Sequence, residues 1–229
     1  MENYPETATE RFDNANFHIK YCLSTIKKYI SGDVLEVGAG CGSFTRNYFK
    51  KKINKITLTE VDNFNILNLK KKYKNYDNIR IVNSPIKEIQ GKFDCILYFH
   101  VLEHIKNDLE EIETAKSRLN ENGYLIIMAP AHQKMYSNLD KAVGHFRRYE
   151  KDFFMKNILN LKQEKLFFLD SMGYLLYYLN KILFKKEVFP SKFKIFIWDK
   201  VFTPLSIILD FILRYQFGKC IVAVYKKID

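Results

Sequence analysis

The stretch Val34-Leu35-Glu36-Val37-Gly38-Ala39-Gly40-Cys41-Gly42-Ser43-Phe44-Thr45 runs from an apolar strand through three alternate glycines into the start of a helix. It limits the chain to folds in which a strand-to-helix turn faces a ligand. Glycine bends tightly and lets a ligand reach the backbone, where the first helical N–H groups point outward. The spacing is G-x-G-x-G rather than the G-x-G-x-x-G of dinucleotide sites, and no Lys or Arg lies between Val34 and Thr45. Phosphate capture is therefore poorly supported. Glu36 instead puts a carboxylate at the mouth of the turn, which suits a cationic group.

From this turn onward apolar strands alternate with helical periodicity. The pattern predicts strands over 34–37, 56–59, 79–82, 93–98 and 124–128, with helices over 17–30, 44–51, 64–76 and 108–119, the last closed by a left-handed cap at Gly123. Such alternation gives a doubly wound parallel sheet whose ligand lies at the carboxyl ends of the strands. Glu60 ends the second strand, where a carboxylate can accept from two ribose hydroxyls; Asp62 is its competitor. Ser84, Tyr98, Phe99, His100, His104 and His132 fall on the same edge, and strand alternation lets only one of Tyr98 and Phe99 face the pocket.

Several motifs in this order resemble class I S-adenosylmethionine (SAM) methyltransferases: E-x-G-x-G-x-G at Glu36–Gly42, F-D-x-I at Phe93–Ile96 and L-E-H at Leu102–His104. The segment Pro130-Ala131-His132, then Leu139-Asp140, then Gly144-His145-Phe146-Arg147-Arg148-Tyr149 resembles a bacterial group within that family. The resemblance covers about residues 10 to 170 well and implies a Rossmann-like, mostly parallel seven-stranded sheet with an antiparallel last strand over 220–225. It also implies SAM as methyl donor and S-adenosylhomocysteine as product. By resemblance, Glu36, Gly38, Gly40, Gly42, Glu60, Ser84, Tyr98, Phe99 and His100 would hold SAM. Ser84 stands where the family commonly has an acid for the adenine.

The catalytic expectation centres on His145, His132 and His100, with Arg147, Arg148 and Tyr149 as acceptor contacts, because guanidinium geometry suits a carboxylate or phosphate. The alternative for the two arginines is a structural pair binding helix ends or Asp140. A metal reading also stands: His100, Glu103 and His104 at i, i+3 and i+4 would share one helix face. It resembles an E-x-x-E-H metal site of some SAM methyltransferases, with His100 in place of the first Glu.

The chain reads as one domain over 1–229, with a lead-in or lid helix in 1–32, where Phe12 and Tyr21 are lid aromatics or core, and an apolar helical insert over 172–217. The aromatic residues concentrate in that C-terminal third. The insert motivates a small-molecule or lipid-linked acceptor, methylated at oxygen, and leaves peripheral membrane contact and homodimerisation both open. The formal charge of +11, from 37 basic and 26 acidic residues, raises an RNA or DNA methyltransferase as the first rival. No N-P-P-Y-type motif follows the fourth strand, so base-amino methylation is disfavoured. A SAM-fold binding or assembly protein without catalysis is the second rival. Four scattered cysteines without C-x-x-C, no leader-like start and no apolar run of about 18 residues point to a reducing, cytoplasmic setting, with the insert as the one route to peripheral membrane contact.

Overall fold

The computed structural model describes residues 15–49, 53–183 and 190–228, the side chains of 180–183 apart. Phe12 lies outside the described residues. In chain order the elements are α1 (Asn16–Ile26), β1 (Gly32–Val37), α2 (Thr45–Tyr48), β2 (Ile53–Thr59), α3 (Asn63–Lys72), β3 (Ile79–Val82), β4 (Phe93–Phe99), α4 (Asp108–Ser117) and β5 (Leu119–Pro130). After them come α5 (Asn138–Ala142), α6 (Lys151–Asn157), β6 (Lys162–Leu169), α7 (Ser171–Leu183), α8 (Lys192–Ile197), α9 (Thr203–Ile212) and β7 (Cys220–Lys226). A π-helical stretch, Trp198–Phe202, joins α8 to α9.

The seven strands form one sheet in the order β3-β2-β1-β4-β5-β7-β6. β1 pairs in parallel with β2 and β4, and only β7 runs against its neighbours, β5 and β6. Both faces are covered, which is why the strands read as continuous apolar runs rather than alternating ones. Val34, Ile56, Leu97, Met128 and Val222 pack on one face beneath Ile19, Leu23 and Ile26 of α1. Leu35, Ile96, Ile127 and Ala223 pack on the other with Ile112 of α4 and Phe154 of α6.

Three local expectations are corrected. Gly123 is no helix cap: α4 ends at Arg118, Asn122 takes the left-handed conformation (φ 64°), and Gly123 lies within β5. There a Cβ would sit 2.8 Å from the Asn120 carbonyl oxygen, so close backbone approach is what requires glycine. The segment His100–His104 is not one helix, because only Leu102–His104 forms a short three-ten turn and His100 precedes it with φ 57°. The helix expected over 44–51 is one turn, Thr45–Tyr48.

The insert forms α7, α8, the π-helical stretch and α9, and it packs on the lead-in helix. Asp210 Oδ2 accepts from Tyr21 Oη at 2.6 Å, Asp199 Oδ1 accepts from the His18 backbone N–H at 2.8 Å, and the His18 and Trp198 rings lie 4.3 Å apart. Tyr21 is therefore a buried tie between the two segments rather than a free lid aromatic. Among the described residues no helix is long and apolar enough to cross a membrane.

Candidate active site

The glycine turn has the conformation its sequence demands. Gly38, Gly40 and Gly42 all have positive φ (63°, 54° and 73°), a region that L side chains rarely adopt. Above Gly40 a Cβ would meet nothing within 4 Å, whereas at Gly38 and Gly42 it would strike Val101 and Tyr73. The turn thus leaves bare backbone towards open space at its centre. Glu60 closes it from the side: Oε2 accepts from Gly40 N–H at 2.8 Å, and Oε1 accepts from Val61 and Asp62 N–H at 2.7 and 3.0 Å. Asp62, the competitor, is spent as the N-cap of α3, accepting from Asn65 N–H.

Glu36 departs from its expected place. It lies under the turn rather than at its mouth, 2% exposed, because its position in β1 aims it beneath α2. Thr45 and Tyr48 donate to its Oε2 at 2.6 and 2.5 Å. Burial raises its pKa from the ordinary 4.5 to about 7 against those two hydrogen bonds. The basic residue missing from the turn is supplied from α3, where Lys72 Nζ donates to the Cys41 and Gly42 carbonyls at 2.9 and 3.0 Å. It braces the turn from its carbonyl side.

Along the same edge, the residues following β4, β5 and β6 share an unusual backbone. His100, His132 and Asp170 are left-handed at φ 57°, 65° and 67°. Such residues cost on the order of 1 kcal/mol each and gather at functional sites. At β4, Tyr98 turns to the far face, where its hydroxyl donates to Glu111 at 3.1 Å. That removes it from the set of cofactor contacts. Phe99 takes the near face and stacks on Phe44 of the turn, with centroids 4.4 Å apart.

Beyond His100 lies a cluster around a buried acid. Glu103 is wholly buried, and among the described residues neither carboxylate oxygen has a hydrogen-bond partner. His100 Nδ1 and His145 Nε2 stand 3.6 and 3.9 Å from its Oε1. Burial works to raise the Glu103 pKa, but His100, His145 and His104 outweigh it and hold the carboxyl below its usual value. His104, edge-on to His145, has its pKa lowered to about 4, chiefly by burial. His145 is fixed from behind: its Nδ1 lies 2.8 Å from Asp140 Oδ1.

A family model described as a methyltransferase domain matches residues 14–163. The chain belongs to the methyltransferase-domain family. Its sheet is that of the class I SAM-dependent methyltransferases. The N-methyltransferase NodS from Bradyrhizobium japonicum WM9 is similar at 14% identity and a TM-score of 0.59, over 95% of this chain and 97% of that one. The same enzyme in complex with S-adenosylhomocysteine is similar at 13% and 0.60, over 93% and 86%. Coclaurine N-methyltransferase bound to N-methylheliamine and S-adenosylhomocysteine is similar at 14% and 0.62, over 93% and 72%. No curated protein matches the sequence.

In this methyltransferase the arginine pair is structural. Arg148 donates from Nε to Asp140 Oδ1 at 2.9 Å and lies over the Tyr177 ring, 4.4 Å from its centroid. Arg147 pairs with Asp108 at 2.5 Å and donates to the Lys106 carbonyl. The hydroxyl of the buried Tyr149 donates to Asp108 Oδ2 at 2.9 Å and lies 3.0 Å from the Leu102 carbonyl oxygen. These three build the loop instead of presenting acceptor contacts. His132 is packed among Phe168, Tyr174 and Phe217, with Nδ1 3.2 Å from Glu150 Oε2, and takes no part in the Glu103 cluster. Among the described residues the Ser84 hydroxyl reaches the Pro85 carbonyl, at 3.4 Å.

The metal set is redrawn. Glu103, His104 and His145, not His100, place ligand atoms within 4.8 Å of one another among the described residues. Sequence reasoning missed Asp140 as the residue that orients His145. Its signal was present, since Ser137-x-x-Asp140 is a capping box at the start of α5.

Proposed function

We propose that this methyltransferase transfers the methyl group of SAM to a hydroxyl of a small-molecule or lipid-linked acceptor, with His145 taking the acceptor's proton. SAM supplies an activated methyl on a sulfonium, so the chain's own work is to place the acceptor and manage one proton. The glycine turn, with its bare backbone at Gly40, would take the methionine portion, and Glu60 would exchange its N–H partners for the ribose hydroxyls. Phe44, stacked on the buried Phe99, would turn its ring face to the cationic centre.

The observation that carries the reading is the Asp140–His145–Glu103 line. With Nδ1–H given to Asp140 Oδ1, the lone pair sits on Nε2, facing the Glu103 carboxylate at 3.9 Å. Glu103, whose carboxyl the neighbouring histidines hold below its usual range, lies beside the Nε2 that takes the proton. A hydroxyl gains from losing its proton as it attacks, whereas a neutral amine attacks with its own lone pair. This arrangement therefore suits oxygen. Methyl-labelled SAM incubated with candidate alcohols, carboxylic acids and amines tests it: label recovered as ether or ester supports the reading, and label found only on nitrogen overturns it.

A second reading rests on the unpartnered Glu103 oxygens. Glu103, His104 and His145 have the chemistry of a divalent-cation site, with Asp140 behind His145 as such ligands commonly have. The base reading expects full activity after exhaustive chelation. Loss of activity, restored by added zinc or manganese, favours the metal.

Glu36 gives a pH test of the cofactor site. Its carboxyl titrates at about 7 in the free protein, and a cationic ligand above the turn favours the charged form. Binding below pH 7 should release a proton, and SAM affinity should rise roughly fivefold between pH 6 and pH 8. Glu36→Gln, which keeps an acceptor for Thr45 and Tyr48, should flatten that rise in calorimetric titrations. The raised value has the opposite sign for folding: stability from this carboxyl is full below 4.5 and is lost as pH rises through about 7.

A further inference from the structure

Helix α9 is inside out. Its buried residues are polar, Thr203, Ser206 and Asp210, each 0% exposed. Its outer face is apolar, with Leu205 at 43%, Ile208 at 58%, Phe211 at 74% and Ile212 at 65% exposed. A helix in contact with water on one side carries the reverse pattern. Phe193 and Phe196 of α8 are exposed apolar rings as well, at 72% and 56%. Apolar side chains exposed in such number mark interfaces.

The charges say what kind. Among the described residues of 190–217, the exposed charged side chains are Lys192, Lys194, Lys200 and Arg214, all basic, while both acids, Asp199 and Asp210, are buried. An apolar face rich in Phe, Ile and Leu and flanked by lysine is the composition of a helix lying in the plane of an anionic bilayer surface. A two-fold contact between copies through this face would set these like charges near one another, with no exposed acid among the described residues of 190–217 to meet them. We propose that the outer face of α8 and α9 docks this protein on an anionic lipid surface, with α9 parallel to the membrane plane. The inference does not depend on the methyl-transfer reading. It does join it, because Asp210 accepts from Tyr21 Oη and from the backbone N–H of Asp170 at 2.7 Å, directly after β6 on the cofactor edge. Docking would thus hold that edge close to the headgroups, within reach of a lipid-linked acceptor.

The test is co-sedimentation of the full chain with vesicles of phosphatidylcholine alone and of phosphatidylcholine mixed with phosphatidylglycerol. Binding is expected to the mixed vesicles and to weaken with salt. Ile208→Glu combined with Phe211→Glu should lower partitioning by at least about tenfold, and Lys192→Glu alone, at an exposed position away from the Lys200–Asp199 pair, by about fivefold. Unchanged SAM affinity and melting temperature in the variants will show that the fold is intact. A wild-type protein left in the supernatant with both vesicles overturns the proposal. So does a paired variant that binds vesicles like wild type but dissociates a dimer, which would make the face a contact between copies of this chain.

Discussion

Replacing His145 by alanine is expected to lower kcat by about 10²–10⁴-fold while SAM affinity stays within about twofold. The imidazole touches Asp140, Glu103 and His104 and none of the glycine-turn residues, so its loss should fall on proton removal alone. Asp140→Asn should behave differently. Asp140 is the hub of the loop: Oδ1 accepts from Arg148 and faces His145 Nδ1, and Oδ2 accepts from Ser137 N–H and from the Tyr177 hydroxyl of α7. Burial opposes its ionisation, but His145 and Arg148 outweigh burial and hold its pKa well below the usual carboxylate range. The asparagine leaves Arg148 buried without its counter-charge, at a cost of about 3–5 kcal/mol. It should therefore lower both kcat and stability, where His145→Ala lowers kcat only. Single-turnover rates measured beside thermal melts separate the two. Equal melting losses in both variants would place His145 among the structural residues.

The second large effect is expected at Asp210. Its carboxylate is wholly buried and accepts from Tyr21 Oη, Asp170 N–H and Ser171 N–H at 2.6, 2.7 and 2.9 Å. Asp210→Ala strands all three donors at the junction of α1, β6 and α9. Each stranded group costs about 1–3 kcal/mol, less whatever water recovers, so the loss should be about 3–5 kcal/mol, or on the order of 10 °C in Tm for a chain of this length. Asp210→Asn retains an acceptor and should lose less than half as much. Chemical denaturation of the two variants provides the comparison. Indistinguishable midpoints would mean that the insert is held by its apolar contacts and that this network adds little.

The sheet was legible because its signal is local. β1 to β5 are apolar runs closed by turn residues, and burial on both faces made them continuous. The glycine turn was legible for the same reason, since three alternate glycines admit few backbones. What stayed hidden depends on direction and on distance along the chain. Tyr98 and Phe99 are adjacent in sequence, and only the register of β4 decides that Tyr98 faces Glu111 and Phe99 faces Phe44. Glu36 looked like an acid at the mouth, and its burial under Thr45 and Tyr48 follows from one turn of helix folding back over β1. His100 and His104 looked like one helical face until the left-handed turn at His100 separated them.

The arginine pair shows the same limit. Gly144–Tyr149 carries residues that commonly bind anions, and the anions prove to be Asp108 and Asp140 of the same chain. The described residues of the insert are helical, and the direction in which their polar and apolar faces turn was not legible in the sequence. Ser206 and Asp210 appear in the sequence as interruptions of an oily helix. In the fold they are its inner face, because the Asp170 and Ser171 N–H groups and Tyr21 Oη donate to Asp210, and Ser206 Oγ donates to Asp170 Oδ1.

If the glycine turn, with Glu60 at its side, holds SAM, calorimetric titration into the wild-type protein will show saturable binding of one SAM per chain, weakened about tenfold or more in Glu60→Ala, as expected for losing charge-assisted hydrogen bonds to a ribose. An affinity unchanged by the substitution, or no binding to the wild-type protein, would contradict it.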